Sequence, residues 1–221
     1  MANLPPVAAP PEVAAAAKQL ARRDPVMGAF IAKAGPVKLR TGVGDYFGAL
    51  VRSIMYQQLA GKAAAAIHGR FVEALGGEVT PERVLATDPE KLRAAGLSGA
   101  KLAAVLDLAL KSTDGTVPLY NLHELPDDEI VARLSSVRGI GRWTVEMFLL
   151  FELRRLDVWP VGDLGVRNGY RIVYSLEEMP TQKQMEPLGD PFRPYRSIAA
   201  WYFWQAVHIE RGDMLLPGGA T

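Results

Sequence analysis

The triplets Thr80-Pro81-Glu82 and Asp88-Pro89-Glu90 issue the same local instruction in close succession. A Thr or Asp side chain accepts from the open amides of a first helical turn. A proline at the first helical position has no N–H to leave unpaired. Each triplet therefore starts a helix, and Gly35-Pro36, Gly76-Gly77 and Gly96 mark where others stop. A chain punctuated this often folds into many short helices. Apolar residues between the signals keep helical spacing: Phe47, Leu50, Val51, Ile54 and Met55; Leu102, Val105, Leu106, Leu108 and Leu110; Ile130, Val131 and Leu134. Period-two alternation is nearly absent and no hairpin dipeptide joins β-branched runs, so the expected fold is all-α, with about ten or eleven short helices. Residues 175–194 read as the most loop-like segment after the core, and an aromatic-rich helix follows from Tyr195.

The 221 residues suit one compact unit or two lobes, and a hydrophobic content of 49% excludes global disorder. Net charge is only +1, so any basic footprint for nucleic acid must be local. With no cysteine the chain has no disulfide, thiolate zinc site or cysteine-ligated iron–sulfur cluster, in keeping with a reducing cytosol. His68, His123 and His208 are far apart in sequence and have no metal-ligand spacing. No apolar run is long enough to cross a bilayer. The opening "MANLPPVAAPPEVAAAA" lacks a basic start before its apolar residues and reads as a Pro/Ala-rich tail entering a helix, not a signal peptide. The expected location is the cytoplasm, on the nucleoid in a prokaryote.

The segment "LSSVRGIGRWTVEM", residues 134–147, breaks two helical runs with Gly139-Ile140-Gly141. Glycine permits positive φ and leaves its amides sterically open. A helix beginning near Gly141 turns unpaired amides and the positive end of its dipole outward, which suits a phosphate, and Arg138 and Arg142 add charge beside it. From the Gly-x-Gly spacing alone, an ordinary turn between helices is the plainer reading. Downstream, Asp163 in "WPVGDLGVRNGY" precedes another helical run, where capping is an aspartate's common job.

Together these two segments resemble the hairpin and the Gly/Pro-rich aspartate loop of the helix–hairpin–helix DNA glycosylase superfamily. Three more segments match in order: "SIMYQQLAGKAAAAI", "LRAAGLSGAKLAAVLDLA" and "PFRPYRSIAAWYFWQA". The likeness runs from about Asp24 to about Gly212 and is strongest to the 3-methyladenine DNA glycosylase II (AlkA-like) group, in a form without the N-terminal β-domain that some members carry. It implies two helical lobes flanking a DNA-binding cleft, which we place at 1–44 with 175–221 and at 45–174.

The resemblance also implies roles. Asp163 matches the catalytic aspartate. Bifunctional members carry a lysine nucleophile just after Gly-x-Gly, where this chain has Trp143, whose indole cannot form a Schiff base. Trp143, Trp204, Tyr56, Gln57 and Met147 are expected to line the base pocket, with Trp201 in packing. Gln58 is the wedge expected to enter the duplex. Arg138, Gly139, Gly141, Arg142 and Thr144 are expected to hold phosphate. A structural monovalent cation, sodium or potassium, would map to the carbonyls of Ser135, Val137 and Ile140; the chemistry itself requires no cofactor. Arg196 and Ser197 are motif matches for which DNA contact and packing are both open, and the histidines have no role.

The implied protein is a monomer acting on double-stranded DNA that contains a damaged base, away from membranes. It flips alkylated purines of the 3-methyladenine and 7-methylguanine type and hydrolyses them off without cutting the strand. A glycosylase for another damaged or mispaired base is the nearest alternative. A non-catalytic DNA-binding module is the other, and it has no need of Asp163.

Overall fold

A computed structural model describes residues 11–38 and 44–212; the tail expected at residues 1–10 lies outside the described residues. Twelve α-helices are present among the described residues: α1 (Pro11–Arg23), α2 (Pro25–Ala34), α3 (Tyr46–Tyr56), α4 (Gly61–Ala74), α5 (Pro81–Ala86), α6 (Pro89–Ala94), α7 (Gly99–Thr113), α8 (Asp127–Ser135), α9 (Arg142–Phe151), α10 (Leu164–Val173), α11 (Gln182–Leu188) and α12 (Arg196–Arg211). No strand occurs among these residues, so the fold is all-α. Thr80 and Asp88 cap α5 and α6 as their sequences dictate, accepting from the Arg83 and Glu90 amides at 3.3 and 2.9 Å.

Residues 175–194 are not one loop. They contain α11 and a 3₁₀ turn at Asp190–Phe192. A reciprocal capping box between Thr181 and Gln184 starts α11, and burial of Met185 anchors it. Leu110 also departs from expectation: it is exposed, because the buried stripe of α7 passes through Leu102, Val105, Leu108 and Ala109 instead.

The described residues form two units, 44–148 and 11–38 with 149–212. The sequence expectation drew the later boundary at 174; the packing draws it within α9. Residues 149–174 join the terminal unit because α10 lies directly on α12. Gly169 permits this approach, since a Cβ there would stand 1.9 Å from the Phe203 carbonyl oxygen. Within α12, six consecutive residues from Ile198 to Phe203 are buried, so it is surrounded rather than amphipathic. The Tyr202 hydroxyl donates to the Gly35 carbonyl at 3.1 Å, and burial pushes it up to about 12. Asp24 caps α2 through the Val26 and Met27 amides and accepts the Tyr174 hydroxyl. Burial, and then that carboxylate, raise the Tyr174 hydroxyl well above its ordinary value.

The central unit holds α3 to α8 and the start of α9. Phe47, Leu50, Val51, Ile54 and Met55 of α3 are all buried, as their spacing requires, and α3 packs on α4 and α7.

Candidate functional site

The hairpin follows α8. Val137 and Ile140 are buried, and the Ile140 amide donates to the Val137 carbonyl at 3.1 Å. Arg138, Gly139 and Gly141 are left on the surface. The two glycines differ. Gly139 has φ of +76°, and a Cβ on it would lie 3.2 Å from Ala104 Cβ. Gly141 is outside the positive-φ region and has room for a Cβ, so nothing within the protein demands glycine there. Its carbonyl accepts the Val145 amide at 3.2 Å, which makes it the N-cap of α9 with no side chain to engage the first-turn amides. Arg142 is exposed and its Nε donates to the buried Glu146 carboxylate at 3.0 Å. Thr144 is buried and its hydroxyl oxygen accepts Gln57 Nε2 at 3.5 Å, while its backbone amide belongs to the open first turn of α9.

The turn after α3 is held from several sides. Gln58 has φ of +58°, a left-handed conformation that costs a non-glycine residue about 1–2 kcal/mol. It is exposed, with Leu59 beside it. Gln57 Nε2 donates to the Gly139 carbonyl at 3.0 Å, so its amide is engaged with the hairpin. Lys101 Nζ donates to the Met55 and Gln57 carbonyls at 2.7 and 2.9 Å. Tyr56 carries the Arg52 guanidinium over its ring at 4.4 Å and meets the His68 ring edgewise. Burial, then the Arg52 charge, push His68 below its ordinary value.

Trp143 is not a core tryptophan; it is 44% exposed in the first turn of α9. Met147, one turn later, is half-buried on the same helix face.

Asp163 caps α10. Its Oδ1 accepts the Val166 amide at 2.7 Å and Trp204 Nε1 at 2.9 Å. Gly165 makes the second bond feasible, since a Cβ there would stand 2.7 Å from Trp204 Cδ1. Trp204 also stacks on Phe151, with ring centroids 5.6 Å apart and planes 25° from parallel. Trp201 is buried, as expected of a packing residue. The strand of chain leading to Asp163 is fastened to the start of α12. The Ser197 hydroxyl accepts the Val158 amide at 2.9 Å and donates to the Arg155 carbonyl at 2.6 Å. Arg196 grips both Asp157 carboxylate oxygens at 2.8 and 3.0 Å. Arg196 and Ser197 therefore brace the aspartate loop.

Residues 51–194, which include the hairpin and the Asp163 loop, match the family model of the HhH-GPD superfamily base excision DNA repair proteins. The chain belongs to that superfamily. DNA-3-methyladenine glycosylase 1 of Schizosaccharomyces pombe is 40% identical over 163 residues, covering 72% of this chain and 72% of the relative. The solved S. pombe 3-methyladenine DNA glycosylase (Mag1) in complex with abasic DNA has a TM-score of 0.76 at 34% identity, over 86% of this chain and 95% of that one. The DNA-3-methyladenine glycosidase of Bacillus halodurans has a TM-score of 0.83 at 34% identity, over 92% and 93%.

Several residues around this superfamily's landmarks escaped sequence reasoning: Arg52, Glu146, Phe151, and the polar face of α7. There Asp107 Oδ2 accepts the Arg138 amide at 2.7 Å and Lys111 Nζ at 3.0 Å, and Lys111 also donates to the Ser136 carbonyl. Burial raises the Asp107 carboxyl, but the Arg138 amide and the Lys111 ammonium outweigh it and hold the group below its usual value. The i,i+4 spacing of Asp107 and Lys111 was visible, but what they hold lies far away in sequence. Among the described residues, no cluster of three His, Cys, Asp or Glu is placed to hold a metal, and no helix is long and apolar enough to cross a membrane.

Proposed function

We propose that this protein is a monofunctional DNA glycosylase that extrudes alkylated purines of the 3-methyladenine and 7-methylguanine type from duplex DNA and hydrolyses their N-glycosidic bonds. The observation that carries the proposal is the Asp163 carboxylate, pinned by the Val166 amide and the Trp204 indole, in a chain of this superfamily. A carboxylate fixed in this way needs no reorganisation to stabilise the positive charge that develops on deoxyribose, and such a group contributes about 3 kcal/mol. It also orients the attacking water and accepts its proton. Water oxygen bonds to C1′ as the C1′–N bond breaks, and the bonding electrons leave with the base. An N3- or N7-alkylated purine is cationic and departs neutral, so no strong general acid is required.

Trp143 occupies the place of the lyase lysine and has no amine for a Schiff base. Its exposed face suits stacking on a cationic base, worth about 0.5–2 kcal/mol. Gly139, Gly141, Arg138 and Arg142 hold the DNA backbone without reading sequence. Gln58 fills the gap left by the extruded base. The carbonyls of Ser135, Val137 and Ile140 suit a monovalent cation by donor type, at the negative dipole end of α8. Such an ion supplies rigidity only. The protein works as a monomer on double-stranded DNA in the cytoplasm or nucleoid.

The test is strand cleavage and trapping. With a duplex carrying one 7-methylguanine, we expect nicking only after alkali and no borohydride-trapped adduct. Nicking without alkali, or a trapped covalent complex, would overturn the monofunctional assignment.

A further inference from the structure

We propose that α7 is a splint that sets the wedge turn against the phosphate-binding hairpin, with Lys101, Asp107 and Lys111 as positioning residues for base extrusion. This inference rests on the glycosylase reading. Lys101, Ala104, Asp107 and Lys111 follow one another at helical spacing and share one face of α7. At one end Lys101 takes up the Met55 carbonyl, orphaned in the last turn of α3 at its negative dipole end, and the carbonyl of the C-cap Gln57. Burial pushes the Lys101 ammonium below its ordinary value, as befits a charge drawn in from water to reach them. In the middle, Gly139 rests against Ala104 at a separation that only a glycine tolerates comfortably. At the other end Asp107 takes the Arg138 amide, and Lys111 takes the Ser136 carbonyl.

Gln57 closes the circuit by donating to the Gly139 carbonyl from the turn itself. The turn is thus tied to the hairpin directly through Gln57 and indirectly through α7. The six-residue step from Lys101 to Asp107 spans about 9 Å of helix, a length that does not yield on the timescale of docking. The purpose of such bracing is apparent at Gln58, whose left-handed backbone persists only where the surroundings over-determine it. Seating the hairpin amides on a phosphate then brings the Gln58 turn to the base stack in register. Loosening the splint should leave backbone capture intact and impair extrusion.

The experiment compares single-turnover excision from two duplexes that carry the same 7-methylguanine, one opposite cytosine and one opposite an abasic-site analogue, where the lesion is already unpaired and extrusion costs less. For Lys101→Met, which keeps length and loses donation, we expect about a tenfold fall on the paired duplex, about twofold or less opposite the abasic site, and unchanged affinity for undamaged duplex. Gln58→Ala should show the same selective loss, and the double variant should lose little more than either alone, because both act at one turn. If Lys101→Met does not fold, Gln57→Leu cuts the other tie to that turn and is held to the same ratio. Equal losses on both duplexes, an unchanged paired rate, or additive losses in the double variant would overturn the splint while wild-type excision upheld the glycosylase reading. A wild type that releases no base from either duplex overturns both.

Discussion

At Asp163 one side chain does two jobs that substitution can separate. Its Oδ1 caps α10 and receives the Trp204 indole, while in the proposed function its charge is the part the chemistry uses. Asparagine keeps an oxygen for both hydrogen bonds and is as good an N-cap as aspartate. Asp163→Asn should therefore fold with wild-type stability and bind DNA, yet excise about 10²–10³-fold more slowly. Asp163→Ala should lose about 1 kcal/mol of stability as well, because the Val166 amide loses its cap. Denaturant midpoints and single-turnover rates on the two variants check both statements. The capping position was legible in "WPVGDLGVRNGY" because a cap is a local event, and the aspartate's candidacy came from the superfamily likeness. The Trp204 bond was not, since 41 residues separate the partners and only the missing Cβ of Gly165 lets them meet.

Among the elements, α10 and α12 show how glycine spacing becomes geometry. Gly169→Ala would drive a methyl into the Phe203 carbonyl, a rigid backbone atom. We expect a loss of about 1–3 kcal/mol or more, read as a lowered urea midpoint. The Asp107 clamp on the hairpin gives a pH prediction. Because the folded carboxyl is held below the usual 3.8, its stabilisation is complete above that value and is lost as pH falls through the lower folded value. The stability gap between wild type and Asp107→Asn should therefore close in acid; a gap constant down to the acid transition would remove the clamp's charge from the account. Helix starts such as Thr80 and Asp88 were readable because their bonds span two or three residues. The hidden helix α11 was obscured by Pro187 and Gly189, although its Thr181–Gln184 box is itself a local signal. The polar face of α7 was opaque for the opposite reason: Lys101 finds its carbonyls more than forty residues away.

For the molecule as a whole, a net charge of +1 leaves DNA affinity to a local footprint. Exposed Arg138 and Arg142 flank the hairpin amides, so Arg138→Ala should weaken binding across sequences and reduce the salt slope of log K by about 1. An unchanged slope would take Arg138 off the phosphate. The all-α class and the superfamily likeness were legible because capping signals and short motifs recur along the chain; the division of the chain within α9 was not, because it depends on α10 meeting α12. The most direct measurement is the free base released from a duplex carrying one 7-methylguanine, quantified chromatographically for wild type and Asp163→Asn side by side. The account predicts release of 7-methylguanine by the wild type and near-total loss in a variant that still binds the duplex. Full release by Asp163→Asn, or no release by the wild type, would contradict it.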